Sequence, residues 1–126
     1  QNRLSMLLAI LNRHAGVSAY DHDVFINVVG GVRITETSAD LAALIATVSS
    51  LRDRPISPTT LVFGEVGLAG EIRPVAYGEE RLQEALKRGF DRAIIPRANM
   101  PKKPLRGMEL IGVDRLRGAL EALQLR

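Results

Sequence analysis

Ser38 stands directly after a polar turn, Thr35-Glu36-Thr37, and opens the apolar stretch Ala39-Asp40-Leu41-Ala42-Ala43-Leu44-Ile45-Ala46-Thr47-Val48. A helix start leaves several backbone N–H groups without partners inside the helix. The serine hydroxyl can cap them, which is the usual task of Ser at this position. The same N–H groups can instead form an oxyanion hole beside a nucleophilic serine. That second reading needs a base to take the serine proton.

Other chemistry-bearing residues are few. His14 and His22 are the only histidines, and there is no cysteine. The lack of cysteine removes disulfides, thiolate zinc sites, iron–sulfur clusters and cysteine nucleophiles together. No helical histidine pair is present, so no metal site is expected. His14 falls at the end of a helical pattern, where an imidazole cap is ordinary. Gly30-Gly31 lacks the wider glycine frame and the Lys-Ser/Thr of a phosphate loop, so it reads as a bulge or turn and the chain should not bind nucleotide itself.

Charge offers a different kind of chemistry. The net charge is +3, and residues 1–63 balance five Arg with five acids, so the excess lies in the second half. Between Lys87 and Arg106 stand Lys87, Arg88, Arg92, Arg97, Lys102, Lys103 and Arg106 against the single acid Asp91. Such a segment can attract phosphate or simply solvate a surface. Arg52, Arg54 and Arg73 could extend it. Aromatic residues are only 4%, so base stacking is disfavoured and sequence-independent backbone contact is the better expectation.

The elements that must position these residues follow from periodicity. Leu4, Leu7, Leu8 and Leu11 recur at helical spacing, so residues 3–15 form a helix ended by Gly16. Residues 17–20, Asp23 to Val29 and Val32 to Ile34 have strand character. The apolar stretch after Thr37 or Ser38 is a helix buried on most sides, ending near Arg52. Leu61 to Phe63 is a strand. Glu65-Val66-Gly67 and Glu71-Ile72-Arg73 flank Leu68-Ala69-Gly70 as a tight hairpin. Gly78 to Arg88 is a helix, Arg92 to Ile95 a strand stopped by Pro96, and Met108 to Val113 another strand. Asp114 caps a last helix through Leu125. The loop from Ala98 to Arg106 is the segment expected to move most. Interleaved helices and strands with one hairpin give an α+β domain with a mixed sheet.

The chain has 126 residues and a mass of 13.8 kDa, enough for one domain that needs no disulfide or metal to fold. Hydrophobic residues at 46% and charged residues at 25% are ordinary for a globular chain. No apolar run reaches the roughly 18 residues of a membrane helix, so no membrane partner is expected. The chain opens on Gln1 rather than Met and reads as a piece excised from a longer protein, with residues 1–126 forming a single domain.

Three blocks carry a resemblance. They are Thr-Glu-Thr-Ser-Ala-Asp-Leu-Ala (35–42), Ser-Ser-Leu-Arg-Asp-Arg-Pro (49–55) and Gly-Glu-Val-Gly-Leu-Ala-Gly-Glu-Ile-Arg-Pro-Val (64–75), followed by a helix and Ile-Ile-Pro. Across roughly residues 20–120 the chain resembles the proteolytic domain of Lon proteases. It is similar, more closely still, to the Lon-like C-terminal domain of the RadA (Sms) family of bacterial recombination and repair ATPases. The resemblance implies the fold of the Lon proteolytic domain, related to the second domain of ribosomal protein S5. It implies a homohexameric ring, DNA as partner, and a cytoplasmic protein. ATP with magnesium, and zinc, would be cofactors of domains upstream of residue 1, with none in this domain. A RecA-type recombinase is a further partner it suggests, and DNA-dependent ATP hydrolysis in recombination intermediates and branch migration is the implied activity of the whole protein.

Ser38 falls on the position of the Lon nucleophile. Placing Pro74-Val75 under Lon's Pro-Ile puts Glu79 at the position of the catalytic lysine, and Asp40 replaces a glycine of the Lon turn. A Lon-type dyad needs a lysine made neutral enough by burial to accept the serine proton. Glutamate is acidic and shorter. Arg81 stays charged. Lys87 lies eight residues past Glu79, about 12 Å along a helix. Lys102 and Lys103 fall in the loop. The expectation is therefore no catalytic residues, with Ser38 and Glu79 as degenerate positions. The alternative is a Lon-type serine peptidase domain using Ser38.

Overall fold

The central strand shows how the layers are arranged. The computed structural model describes residues 2–15 and 37–125. Within them, Arg92-Ala93-Ile94-Ile95-Pro96 forms β4, whose last four residues are buried. Strand β1 (Thr60–Val62) pairs with it on one side and β5 (Glu109–Val113) on the other, both parallel. A strand in the middle of a parallel sheet is covered on both faces, which is why β4 reads as a continuous apolar run rather than an alternating one.

Ile94 points into one apolar core with helices α1 (Asn2–Ala15), α2 (Asp40–Leu51) and α4 (Leu116–Ala122). Leu7, Leu11, Leu41, Leu44, Leu116 and Leu120 are fully buried there. Each such side chain stabilises the fold by about 1.5–3 kcal/mol relative to exposure. Ala93 and Ile95 face the opposite core, with Leu82 and Ala85 of helix α3 (Gly78–Lys87), Phe63 and Met108. The sheet is thus sandwiched between α1, α2 and α4 on one face and α3 on the other.

The expected hairpin is present. Strands β2 (Glu65–Val66) and β3 (Ile72–Arg73) pair antiparallel, Glu65 opposite Arg73 and Val66 opposite Ile72. Among the described residues the strands form a three-stranded parallel sheet and a two-stranded antiparallel one, in keeping with the expected α+β class. The strand segments expected before Ile34 lie outside the described residues.

Two caps differ from expectation. Neither Thr37 nor Ser38 is the residue at the N-terminal boundary of α2. A 3₁₀ turn, Thr37–Ala39, precedes the helix, so that Ala39 takes that place with no side-chain cap. Asp114 likewise does not cap α4; Arg115 occupies the boundary, again without a side-chain cap. The reason is local. Backbone groups around these starts are bonded by neighbouring segments, so a side-chain cap adds little. The Leu41 N–H donates to the Gly64 carbonyl (3.0 Å), and the Leu116 N–H donates to the Gly70 carbonyl (2.9 Å).

Strands β4 and β5 are parallel neighbours, so the chain must cross the length of the sheet between them. It does so through a short 3₁₀ turn, Arg97–Asn99, and the loop that follows, without an α-helix. Leu105 of this crossover packs into the α3 core. The segment expected to move most is anchored at its start. The Asn99 side chain accepts from the Val75 N–H (2.9 Å) and donates to the Val75 carbonyl (3.0 Å).

Gly64 joins the end of β1 to the start of α2. Its φ is +154°, and a Cβ there would meet Ile72, Leu41 and Pro96 at 3.1, 3.3 and 3.3 Å. Gly64→Ala is expected to cost about 1–3 kcal/mol in urea unfolding through overpacking. Leu68→Ala, at a side chain 71% exposed, is expected to stay within about 0.5 kcal/mol.

The Glu71 carboxylate holds the hairpin turn. It accepts from the Ala69 N–H (3.1 Å) and from Arg73 Nε (3.0 Å) and Nη2 (2.6 Å). Its own backbone N–H, and then the Arg73 guanidinium, hold its pKa below the ordinary value of 4.5. A carboxylate depressed in the folded state adds stability above its unfolded pKa and loses it as pH falls through the folded one. Glu71→Gln should therefore lower the thermal midpoint at neutral pH. The gap to the wild type should close as the pH is taken below about 4.5.

Candidate functional site

Ser38 sits where α2 begins, and its carbonyl accepts the Gly64 N–H at 3.0 Å. A groove of about 650 Å³ runs past it, lined by Ala39, Ala42, Leu61, Phe63, Arg81 and Phe90 among others. The apolar lining comes from the side of β1 and from α3. Arg81 is placed by a bond from its Nε to the Ala76 carbonyl (2.9 Å), and its guanidinium lies 5.9 Å from the centre of the Phe63 ring. Glu80, Glu84 and Arg88 complete the α3 wall of the groove.

Glu79 does not line this groove. It is exposed and faces a second one, of about 730 Å³, between the start of α3 and the crossover, where Lys102 and Lys103 stand opposite it. The chain has three lysines, Lys87, Lys102 and Lys103, and none is among the residues lining the Ser38 groove. Among the described residues the groove therefore presents a hydroxyl, two carboxylates and two guanidiniums, and no amine that burial could make neutral.

Asp40 is fully buried and accepts the Val66 N–H at 3.3 Å. The residue in place of the Lon glycine is thus an inward-facing carboxylate tying the start of α2 to the hairpin. Residue type marked it as a charge favourable to a helix start, whereas its burial is evident only from the fold.

Five of the ten basic residues singled out in the sequence are engaged locally. Arg73 is paired with Glu71 (2.6 Å), Arg88 with Glu84 (3.0 Å), and Arg97 with Asp114 (3.7 Å). Arg92 is half-buried and donates to Thr60 Oγ1 through Nε (3.2 Å) and Nη2 (3.1 Å). Arg54 donates to the Gln124 carbonyl beyond α4 (2.9 Å). Arg52 is exposed just past α2.

The crossover runs back beside α3, setting Lys102 and Lys103 by the start of the helix and Arg106, next to Gly107, by its end at Lys87, so that the backbone lays out these four cations as a stripe along α3. Lys103 shares a small depression with Glu79 and Gln83, while Gly107 lies against Leu86. None of these four cations makes an ion pair among the described residues.

A third cleft, of about 540 Å³, was not evident from the sequence. The end of α1, the hairpin turn and the start of α4 bring Arg13, Arg115 and Arg117 around it, with His14, Asp114 and Glu121. His14 does not cap its own helix. Its Nε2 donates to the Leu68 carbonyl (2.9 Å) and so ties α1 to the hairpin. These arginines were missed because two of them alternate with Asp114 and Leu116 and the third is a hundred residues away, so no charge run announces them. Among the described residues no group of three His, Cys, Asp or Glu side chains could hold a metal ion, and no helix is long and apolar enough to cross a membrane.

Known proteins align with nearly the whole of this scaffold. A family model described as subunit ChlI of Mg-chelatase matches residues 3–99. Proteins named DNA repair protein RadA are 65% identical over 95% of the chain in Salmonella typhimurium, 64% over 95% in Escherichia coli and 43% over 97% in Aquifex aeolicus. The chain spans about a quarter of the length of these curated relatives (26–27%), so the likeness is that of one domain. With the family model running from α1 through β4, the chain belongs to the family described as subunit ChlI of Mg-chelatase, and it corresponds to one domain of the proteins named DNA repair protein RadA.

Proposed function

We propose that this chain is the non-catalytic Lon-like domain of a RadA-type DNA repair ATPase, and that it contacts DNA through the phosphate backbone without reading sequence. The observation that carries this reading is the stripe of Lys102, Lys103, Arg106 and Lys87 along α3, whose charges are not taken up by ion pairs among the described residues. Lysines on an exposed crossover gain most from a ligand that offers many phosphates, because each phosphate neutralised releases a condensed counterion. Arg54, Arg73, Arg88, Arg92 and Arg97 are engaged within the domain and serve its structure first.

The non-catalytic part of the reading is supported by the placement of the lysines. A serine nucleophile of the Lon kind depends on an amine within hydrogen-bond reach, and all three lysines lie on other surfaces. Glu79, which takes the place of the Lon lysine, faces the crossover. The serine, the groove and the buried start of α2 then serve as architecture. In the whole protein the domain would pack with copies of itself into a homohexameric ring that acts on recombination intermediates in branch migration, in the cytoplasm and in company with a RecA-type recombinase. DNA-dependent ATP hydrolysis, its magnesium, and zinc belong to the other domains in this reading.

Binding of a short duplex of random sequence, followed at rising salt, tests the DNA contact. Affinity should fall linearly on logarithmic axes, and Lys102→Ala with Lys103→Ala should make the slope shallower by about 0.9 for each phosphate no longer neutralised. A slope that the double variant leaves unchanged would rule out the stripe. Light scattering of the whole protein with ATP should give the mass of a hexamer, and a strictly monomeric mass would contradict the ring.

A further inference from the structure

The cleft framed by the end of α1, the hairpin turn and the start of α4 has no part in the Ser38 groove or in the crossover stripe. We propose that Arg13, Arg115 and Arg117 hold the phosphodiester backbone of a nucleic acid there, as a second binding surface separate from the lysine stripe. The proposal rests on the reading of this domain as one that contacts DNA, and adds to it a surface in the other helical layer, across the sheet from α3.

The charge of the cleft favours an anion. Three guanidiniums line it, and none of them makes an ion pair among the described residues. Of its two acids, Asp114 is drawn to Arg97 (3.7 Å) and Glu121 has an interaction of its own. Guanidinium is the side-chain group best matched to phosphate oxygens, since its planar fork donates two parallel hydrogen bonds.

The walls are fixed before any ligand arrives. The Ile72 N–H donates to the Asp114 carbonyl (3.0 Å) and the Leu116 N–H to the Gly70 carbonyl (2.9 Å), which joins the hairpin to the start of α4. Glu71 and Arg115 form an antiparallel bridge beside these bonds. His14 joins α1 to the same hairpin through the Leu68 carbonyl (2.9 Å). Gly70 makes the approach possible: at φ +79°, a Cβ there would come within 2.9 Å of the His14 Cβ. A cleft built in this way loses little conformational freedom when it binds, and that raises affinity without any added interaction.

The lining also bears on which part of a nucleic acid fits. Apart from the cations and acids it consists of Ala69, Gly70, Gly118 and the His14 ring. No large apolar side chain or Phe, Tyr or Trp is offered for a base to stack on, and a small-molecule site would be predominantly apolar. Phosphates are therefore the recognised groups.

Four proteins test this by duplex binding at rising salt: the wild-type chain, Lys102→Ala/Lys103→Ala, Arg13→Gln/Arg117→Gln, and all four substitutions together. Arg115 is kept, because its backbone bridges Glu71. The arginine pair is expected to make the salt slope shallower by about 1.8. The same decrease should appear on the lysine-variant background, and Arg13→Lys/Arg117→Lys should restore most of the slope. All the substituted side chains are exposed, so thermal midpoints should hold, and the lysine rescue keeps the test decisive if they do not. Wild-type binding that depends on Lys102 and Lys103 but not on the arginines would overturn this inference and leave the DNA contact standing. No duplex binding by the wild type would overturn both. Inorganic phosphate should not shift the thermal midpoint; a shift that disappears in the arginine variant would mark a small-anion site and overturn the assignment to nucleic acid.

Discussion

Two backbone hydrogen bonds through Gly64 determine where Ser38 can be. The glycine N–H donates to the Ser38 carbonyl and its own carbonyl accepts the Leu41 N–H, each at 3.0 Å. Together they fasten the start of α2 to the end of β1, and any other residue at 64 would press on Ile72, Leu41 and Pro96. Asp40 reinforces the junction from inside, accepting the Val66 N–H from the hairpin. A buried carboxylate is stabilising only when its acceptor sites are met, so this junction leaves little latitude. The serine is held beside β1 and α3 and faces the side chains of those two elements. The lysines travel with a different part of the chain, the end of α3 and the crossover, and the sheet topology sets the two apart.

The same topology accounts for the surfaces. A parallel β4–β5 pair requires a return path across the sheet, and here the path carries Lys102, Lys103 and Arg106 along α3. Elsewhere Arg54, Arg73, Arg88, Arg92 and Arg97 are drawn into local interactions with the Gln124 carbonyl, Glu71, Glu84, Thr60 and Asp114. Exposed pairs of this kind contribute little to stability, but they reduce the charge offered to a ligand. What a nucleic acid would meet is therefore smaller than the number of lysines and arginines suggests.

Much of the fold was legible in the sequence because burial writes periodicity. The leucine spacing of α1, the apolar run of α2, the Gly-flanked hairpin and the β-branched β4 each matched what formed. The helix starts were less legible. Ser38 and Asp114 are good capping residues by type, yet the backbones of Gly64 and Gly70 bond the first N–H groups from outside the helix, and a sequence does not show such long-range partners. The candidate site divides in the same way. Ser38 and Glu79 could be matched to family positions along the chain. Their facing different grooves depended on how α3 is turned. The convergence of Arg13 with Arg115 and Arg117 depended on α1 and α4 being neighbours, which no local pattern encodes.

The central proposal is that the Ser38 groove, which no lysine lines among the described residues, carries out no acyl transfer. Incubating this chain at high concentration with an unfolded protein, with Ser38→Ala beside it, tests that most directly. The account predicts that the substrate stays intact with both proteins over the whole pH range in which the chain is folded. Cleavage by the wild type that disappears in Ser38→Ala would contradict it.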